Sequence, residues 1–79
     1  MQVVYIYDLK AKNKKRFNRT KRLFYYYLNK LPLTKESWKT KSTISIQTKH
    51  EKILDKFFRR FKNDIHVFKL YTETIEEFE

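Results

Sequence analysis

Glycine and cysteine are both absent from this 79-residue chain, and proline occurs once, at Pro32. Without glycine there is no Walker-type phosphate loop and no dinucleotide-binding fingerprint, since both need backbone conformations or close approaches that only glycine permits. The tight turns are left to Asn, Asp and Lys, with Asn13 and Asn63-Asp64 as the candidates. Without cysteine there are no disulfides and no thiolate metal sites, which fits a reducing, cytoplasmic setting. Long apolar runs are also missing, and no segment approaches the length of a membrane span. The N-terminal run Val3-Val4-Tyr5-Ile6-Tyr7 is too short for a secretory leader, and its basic residues follow where they should precede, so none is expected. Acid is scarce as well: Asp8 is the only acidic residue among the first 35 positions.

Positive charge is abundant. Nineteen Lys and Arg against nine Asp and Glu give a formal net charge of +10. Positions 10 to 22 hold Lys10, Lys12, Lys14, Lys15, Arg16, Arg19, Lys21 and Arg22 with no acid among them. Such a field repels itself unless a partner neutralises it, and nucleic acid is the commonest such partner. A lysine-rich thermophilic surface would interleave both signs. An anionic membrane would call for an exposed amphipathic helix with a free apolar face. DNA or RNA is therefore the expected partner, with no membrane. Aromatic residues make up 18% of the chain and the apolar positions are periodic, which marks a folded domain. A chain this short buries only about 60–65% of its unfolded surface. A homodimer is the expected source of further stability.

Residues 2–8 read as a strand, apolar on both faces and therefore central in its sheet. Residues 12–30 read as a helix, with Phe17, Phe24, Leu28 and Leu31 on one stripe and Lys15, Arg19, Arg22 and Tyr26 on another; Pro32 ends it. Residues 36–47 alternate imperfectly and read as one bulged strand or two short ones. Thr48 with Glu51 has the spacing of a capping box, opening a second helix whose inner stripe is Ile53/Leu54, Phe57/Phe58 and Phe61. Its wet face carries Lys52, Lys56, Arg59 and Arg60. Asn63-Asp64 closes it, and Ile65 to Tyr71 forms a last strand. This order is that of an α+β, ferredoxin-like split β-α-β sandwich, with two helices on one face of an antiparallel sheet of three to four strands. Residues 1–71 form the single domain. Residues 72–79 form an acidic tail anchored by Ile75 and Phe78, which either docks on a partner protomer or frays as a solubilising terminus.

The chain resembles the small CRISPR-associated adaptation subunit, a family also described as an endoribonuclease. The resemblance rests on the apolar strand ending in Tyr7-Asp8 and on the basic helix segment Asn18-Arg19-Thr20-Lys21-Arg22-Leu23-Phe24. It extends to Trp38-Lys39-Thr40-Lys41-Ser42-Thr43-Ile44 and to the strand Ile65-His66-Val67-Phe68-Lys69-Leu70-Tyr71. The family commonly has Val-Phe and an acidic-Gly pair after the serine, where this chain reads Thr43-Ile44-Ser45-Ile46. The resemblance implies a dimer in which Asp8 lies near its two-fold mate and binds a divalent cation, Mg²⁺ or Mn²⁺. Two carboxylates so placed repel unless a cation or proton sits between them. It also implies a larger integrase as a further partner, and either a metal-dependent endonuclease using Asp8 or a dimeric scaffold that holds DNA. No organic cofactor is expected.

Backbone contact is expected from Lys12, Lys15, Arg16, Arg19 and Arg22, with Lys52, Lys56 and Arg59 contributing from the second helix and Ser42 as a hydrogen-bond donor to phosphate. Asp8 has a purely structural alternative, as an acceptor for the N-terminus of the next helix. The tyrosines admit another reading. Val3, Tyr5 and Tyr7 share one face of the first strand; displayed on the open sheet they would stack bases or line a dimer interface. A small non-enzymatic DNA- or RNA-binding regulator is the alternative function.

Overall fold

The computed structural model describes residues 1–10 and 13–78. Lys12, one of the expected backbone contacts, lies outside them. The elements are β1 (Gln2–Leu9), α1 (Lys14–Leu28), β2 (Trp38–Thr40), β3 (Thr43–Gln47), α2 (Glu51–Arg60) and β4 (Ile65–Thr72). They form one four-stranded sheet in the order β2-β3-β1-β4, with every neighbouring pair antiparallel. This is the ferredoxin-like split β-α-β arrangement, with both helices on one face. The doubly apolar β1 is central, between β3 and β4, because only an interior strand has both ladders and both faces to satisfy.

Residues 36–47 resolve into two strands. Lys41 and Ser42 make the turn between β2 and β3, and the pairing slips between Trp38 and Thr40. Ser42 is thus a turn residue rather than a strand residue: its amide is held by Thr40 Oγ1 at 3.2 Å, and its carbonyl accepts from the Tyr7 amide at 3.0 Å.

α1 starts at Lys14, capped by Asn13, whose side chain accepts from the Arg16 amide at 2.8 Å. α2 starts differently from the expected capping box. Thr48–His50 form a 3₁₀ turn, and no side chain caps the helix. Glu51 is instead drawn across to β4, where Lys69 and Tyr71 both donate to its carboxylate. A carboxylate's bond to a charged ammonium, in which both partners are ionised, outcompetes its bond to a neutral local amide.

The core is an aromatic stack. Phe24 lies at its centre, with ring centroids of Phe57 at 5.1 Å, Tyr7 at 5.2 Å and Phe61 at 5.3 Å, while Tyr5 stacks on Phe58 at 4.9 Å. Val3, Leu28, Ile44, Ile46, Leu54 and Ile65 complete it. Val3, Tyr5 and Tyr7 therefore face the helices, and the expectation that they are displayed on the open sheet is overturned. The two tyrosine hydroxyls can be buried because each has a partner at the rim of the core: Tyr5 donates to Asp55 Oδ1 at 2.6 Å and Tyr7 to the Lys41 carbonyl at 2.8 Å.

The open face carries the other parity: Gln2, Val4, Ile6 and Asp8 on β1, beside Leu70, Phe68 and His66 on β4 and Thr43, Ser45 and Gln47 on β3. Ile6 is 41% exposed, Leu70 42% and Phe68 71%. The β1–β4 half of this face is thus an uncovered apolar strip, whereas the β3 half is polar. Ser45, although buried, donates to the side-chain oxygen of Gln2. No helix of the described residues is long and apolar enough to cross a membrane.

Candidate nucleic-acid interface

The helix layer holds the cations. α1 presents Lys15, Arg19, Lys21 and Arg22 to solvent while Phe24 and Leu28 turn inward. Its first turn contains no acid, so Lys14, Lys15 and Arg16 crowd the positive end of the helix dipole. Like charge at that end is unfavourable in the free protein and becomes favourable when an anion binds there.

Arg16 is partly committed elsewhere. Its guanidinium bonds Asp64 Oδ1 at 2.9 Å, and the Asp64 carbonyl accepts from the Lys10 amide, tying the start of α1 to the α2–β4 turn. Among the described residues, Lys15, Arg19 and Arg22 have no ion-pair partner. Asn13, Lys15, Arg16, Arg19, Thr20 and Leu23 together line a shallow groove on this helix. On α2, Lys52, Lys56 and Arg59 are all exposed. The structure therefore brings the expected cations among the described residues to one layer, as two basic helix surfaces over a single core.

Asp8 and Ser42 come to the same end of the sheet, since Tyr7, adjacent to Asp8, bonds the Ser42 carbonyl. Asp8 is exposed on the open face, across the ladder from His66. Among the described residues no side chain or helix amide bonds to it, and α1 takes its cap from Asn13. No group of three or more His, Cys, Asp or Glu that could hold a metal ion forms among the described residues. Among the described residues of one chain, Asp8 belongs to no such group.

One polar cluster was not anticipated. Lys69 Nζ sits 2.7 Å from Glu51 Oε2 and 3.1 Å from Asp55 Oδ2, and Tyr5 donates to the same Asp55. The sequence carried a signal for it. Lys69 falls on the inward parity of β4, with Ile65 and Val67, and so requires an acid opposite; Glu51 and Asp55 lie one helical turn apart on α2. Burial pushes the Tyr5 hydroxyl well above the usual phenol range, reinforced by its bond to Asp55. Burial alone would raise Asp55, but the bonds from Tyr5 and Lys69 outweigh it and hold the carboxyl below its usual value. The bond from Lys69 likewise lowers Glu51 and raises Lys69.

Carboxyls lowered by folding contribute stability that is present above their unfolded values, 4.5 for Glu51 and 3.8 for Asp55, and is lost as the pH falls below them. The midpoint of urea unfolding is expected to fall between about pH 5 and about pH 3 in the wild type, and to fall less steeply in Asp55→Asn. Parallel slopes would show that the cluster does not couple α2 to β4.

No family model, no curated protein and no solved structure matches this chain. The class that fold and surface define is a ferredoxin-like α+β domain with a cationic helix layer and an apolar strip on its open sheet face.

Proposed function

We propose that this protein is a dimeric nucleic-acid-binding scaffold that grips the phosphate backbone through its helix layer. One observation carries the reading. Among the described residues, Glu51, Asp55 and Asp64 are spent on internal pairs and Glu73, Glu76 and Glu77 are gathered in the tail, while Lys15, Arg19 and Arg22 on α1 are left without a counter-charge. Lys52, Lys56 and Arg59 extend the grip to α2. Affinity measured against salt concentration tests this directly, because each neutralised phosphate steepens the decline. A flat response would sink the reading.

The open face is the proposed meeting place of two copies. Ile6, Phe68 and Leu70 expose apolar surface without a cover, and a small domain gains most by burying such a strip. Phe68→Lys puts a charge at the centre of the strip without touching the core. It is expected to convert a dimer to a monomer in light scattering while leaving the circular dichroism spectrum unchanged. A dimer that survives the substitution would place the interface elsewhere.

Under the resemblance to the CRISPR adaptation subunit, the Asp8 carboxylates of two copies would meet near the two-fold axis. They supply hard oxygen donors of the kind Mg²⁺ or Mn²⁺ accepts, and the bound ion would activate water against a phosphodiester. A single carboxylate per chain, with no acid beside it, favours the scaffold over the nuclease. Incubated with single- and double-stranded DNA and RNA and either metal, the wild type and Asp8→Ala are both expected to bind without cleaving. Metal-dependent cleavage lost in Asp8→Ala would establish the enzyme instead.

A further inference from the structure

The groove between α1 and α2 has an apolar floor of Tyr27, Leu31, Ile53 and Phe57 and a rim of Lys30, Lys56 and Arg60, enclosing about 650 Å³. Among the described residues no acid lines it. Two of the rim cations lie against aromatic faces: Arg60 is 4.4 Å from the centre of the Tyr27 ring, and Lys30 is 4.3 Å from that of Tyr26. Among the described residues none of the three has an ion-pair partner. A bare phosphate chain would leave the apolar floor unused, and a neutral apolar helix would leave the rim unpaired. The occupant that satisfies both is an acidic segment with apolar anchors.

The chain contains one such segment. Beyond β4 run Glu73, Thr74, Ile75, Glu76, Glu77 and Phe78, and with Glu79 the tail holds four of the nine acidic residues of the sequence. Phe78 is 100% exposed and so is seated on nothing in its own domain, and Ile75, 38% exposed, is only partly covered. The geometry points to the α1–α2 groove of one copy as the docking site for the C-terminal tail of a second copy. Ile75 and Phe78 rest on the floor, and Glu76 and Glu77 meet the cationic rim.

The route of the chain favours a second copy over the tail of the same copy. α2 stands between β4 and the groove: Glu51 and Asp55 face Lys69 on β4, whereas Ile53, Phe57 and Arg60 face α1. Glu73 leaves β4 past the start of α2, lining a cleft with Pro32, Thr34 and His50 rather than the groove. None of Glu73 to Phe78 lines the groove of its own copy, and Phe78 is left fully exposed. A tail arriving from another molecule seats both anchors. Seated there, it also neutralises Lys56, one of the cations assigned to phosphate contact.

The test is photo-crosslinking of the full-length chain with Phe78 replaced by p-benzoylphenylalanine. Light and heavy isotope-labelled protein are mixed in equal amounts, with no nucleic acid present, so the result is independent of the proposed function. Crosslinks are expected between the tail and peptides of Tyr27–Leu31 or Ile53–Arg60, with roughly half of the pairs joining light to heavy, as random pairing of identical subunits requires. Lys56→Glu with Arg60→Glu, both on exposed positions, should cut the yield by about fivefold or more. Mixing that variant with a chain carrying the crosslinker, Glu76→Lys and Glu77→Lys should restore it. Isotopically pure crosslinks would assign the groove to the tail of the same copy and overturn the proposal. Crosslinks to the β4 edge or the open sheet face, no crosslinks, or a yield indifferent to the charge reversals would overturn it as well.

Discussion

Arg19→Ala combined with Arg22→Ala is expected to weaken binding to DNA and RNA alike by about tenfold to a hundredfold near 0.1 M salt. Both residues are exposed on α1 and lack an ion-pair partner among the described residues, so their removal costs the fold nothing measurable. The cause lies in the counterion atmosphere. A polyanion releases about 0.9 of a condensed cation for each phosphate a protein neutralises on duplex DNA, and the entropy of that release supplies most of the affinity. If Lys15, Arg19, Arg22, Lys52, Lys56 and Arg59 each cover one phosphate, wild-type affinity should fall about a thousandfold between 50 and 200 mM salt. The double variant should fall less steeply, by about two units of the logarithmic slope.

Salt titrations of the two proteins on several sequences decide the matter. Phosphate contacts predict a uniform loss across sequences. A loss confined to one base sequence would mean that these arginines read base edges. Equal slopes for the two proteins would take α1 out of the interface.

The order of elements was legible in the sequence because it rests on local signals. Asn13 before a helical stripe, Pro32 after it, and Asn63-Asp64 between apolar runs each act within a few residues. The basic layer was legible for the same reason, since charge on the solvent face of a helix needs no tertiary partner. The direction of β1 was not. Val3, Tyr5 and Tyr7 alternate with Val4 and Ile6, so a period of two marks the strand without saying which parity turns inward. That choice is made by partners far away in sequence: Asp55 and the Lys41 carbonyl accept the two phenols, 50 and 34 residues distant.

The capping box failed for a similar reason. Thr48 and Glu51 have the local spacing, but Lys69 on β4 offers the carboxylate a stronger bond. Ser42 was read as a strand residue, since alternation runs on through a turn made without glycine or proline.

Phe24→Ala is expected to unfold much of the population at physiological temperature, whereas Leu23→Ala, one position earlier, should be nearly silent. Phe24 has no exposed surface and touches Tyr7, Tyr25, Phe57, Phe58 and Phe61, so every aromatic layer of the core meets at its ring. Truncating a buried phenylalanine costs about 3–5 kcal/mol, the sum of lost transfer energy and the cavity left behind. A 79-residue domain has about 4–12 kcal/mol of stability in all. The loss therefore takes about a quarter of the total when the smallest loss meets the largest stability, and all of it when the largest loss meets the smallest stability. Through the entropy of unfolding for this size of domain, it corresponds to a fall in melting temperature of roughly 15–30 °C. Leu23 points away from the sheet and is nearly half exposed, so its truncation removes little buried area. Thermal melts of both variants at one protein concentration, which holds any contribution of self-association constant, provide the comparison. Similar melting temperatures for the two would mean that α1 is rotated about its axis. The basic stripe would then turn with it, and Arg19 and Arg22 would no longer face the side on which the proposed phosphate contact is made.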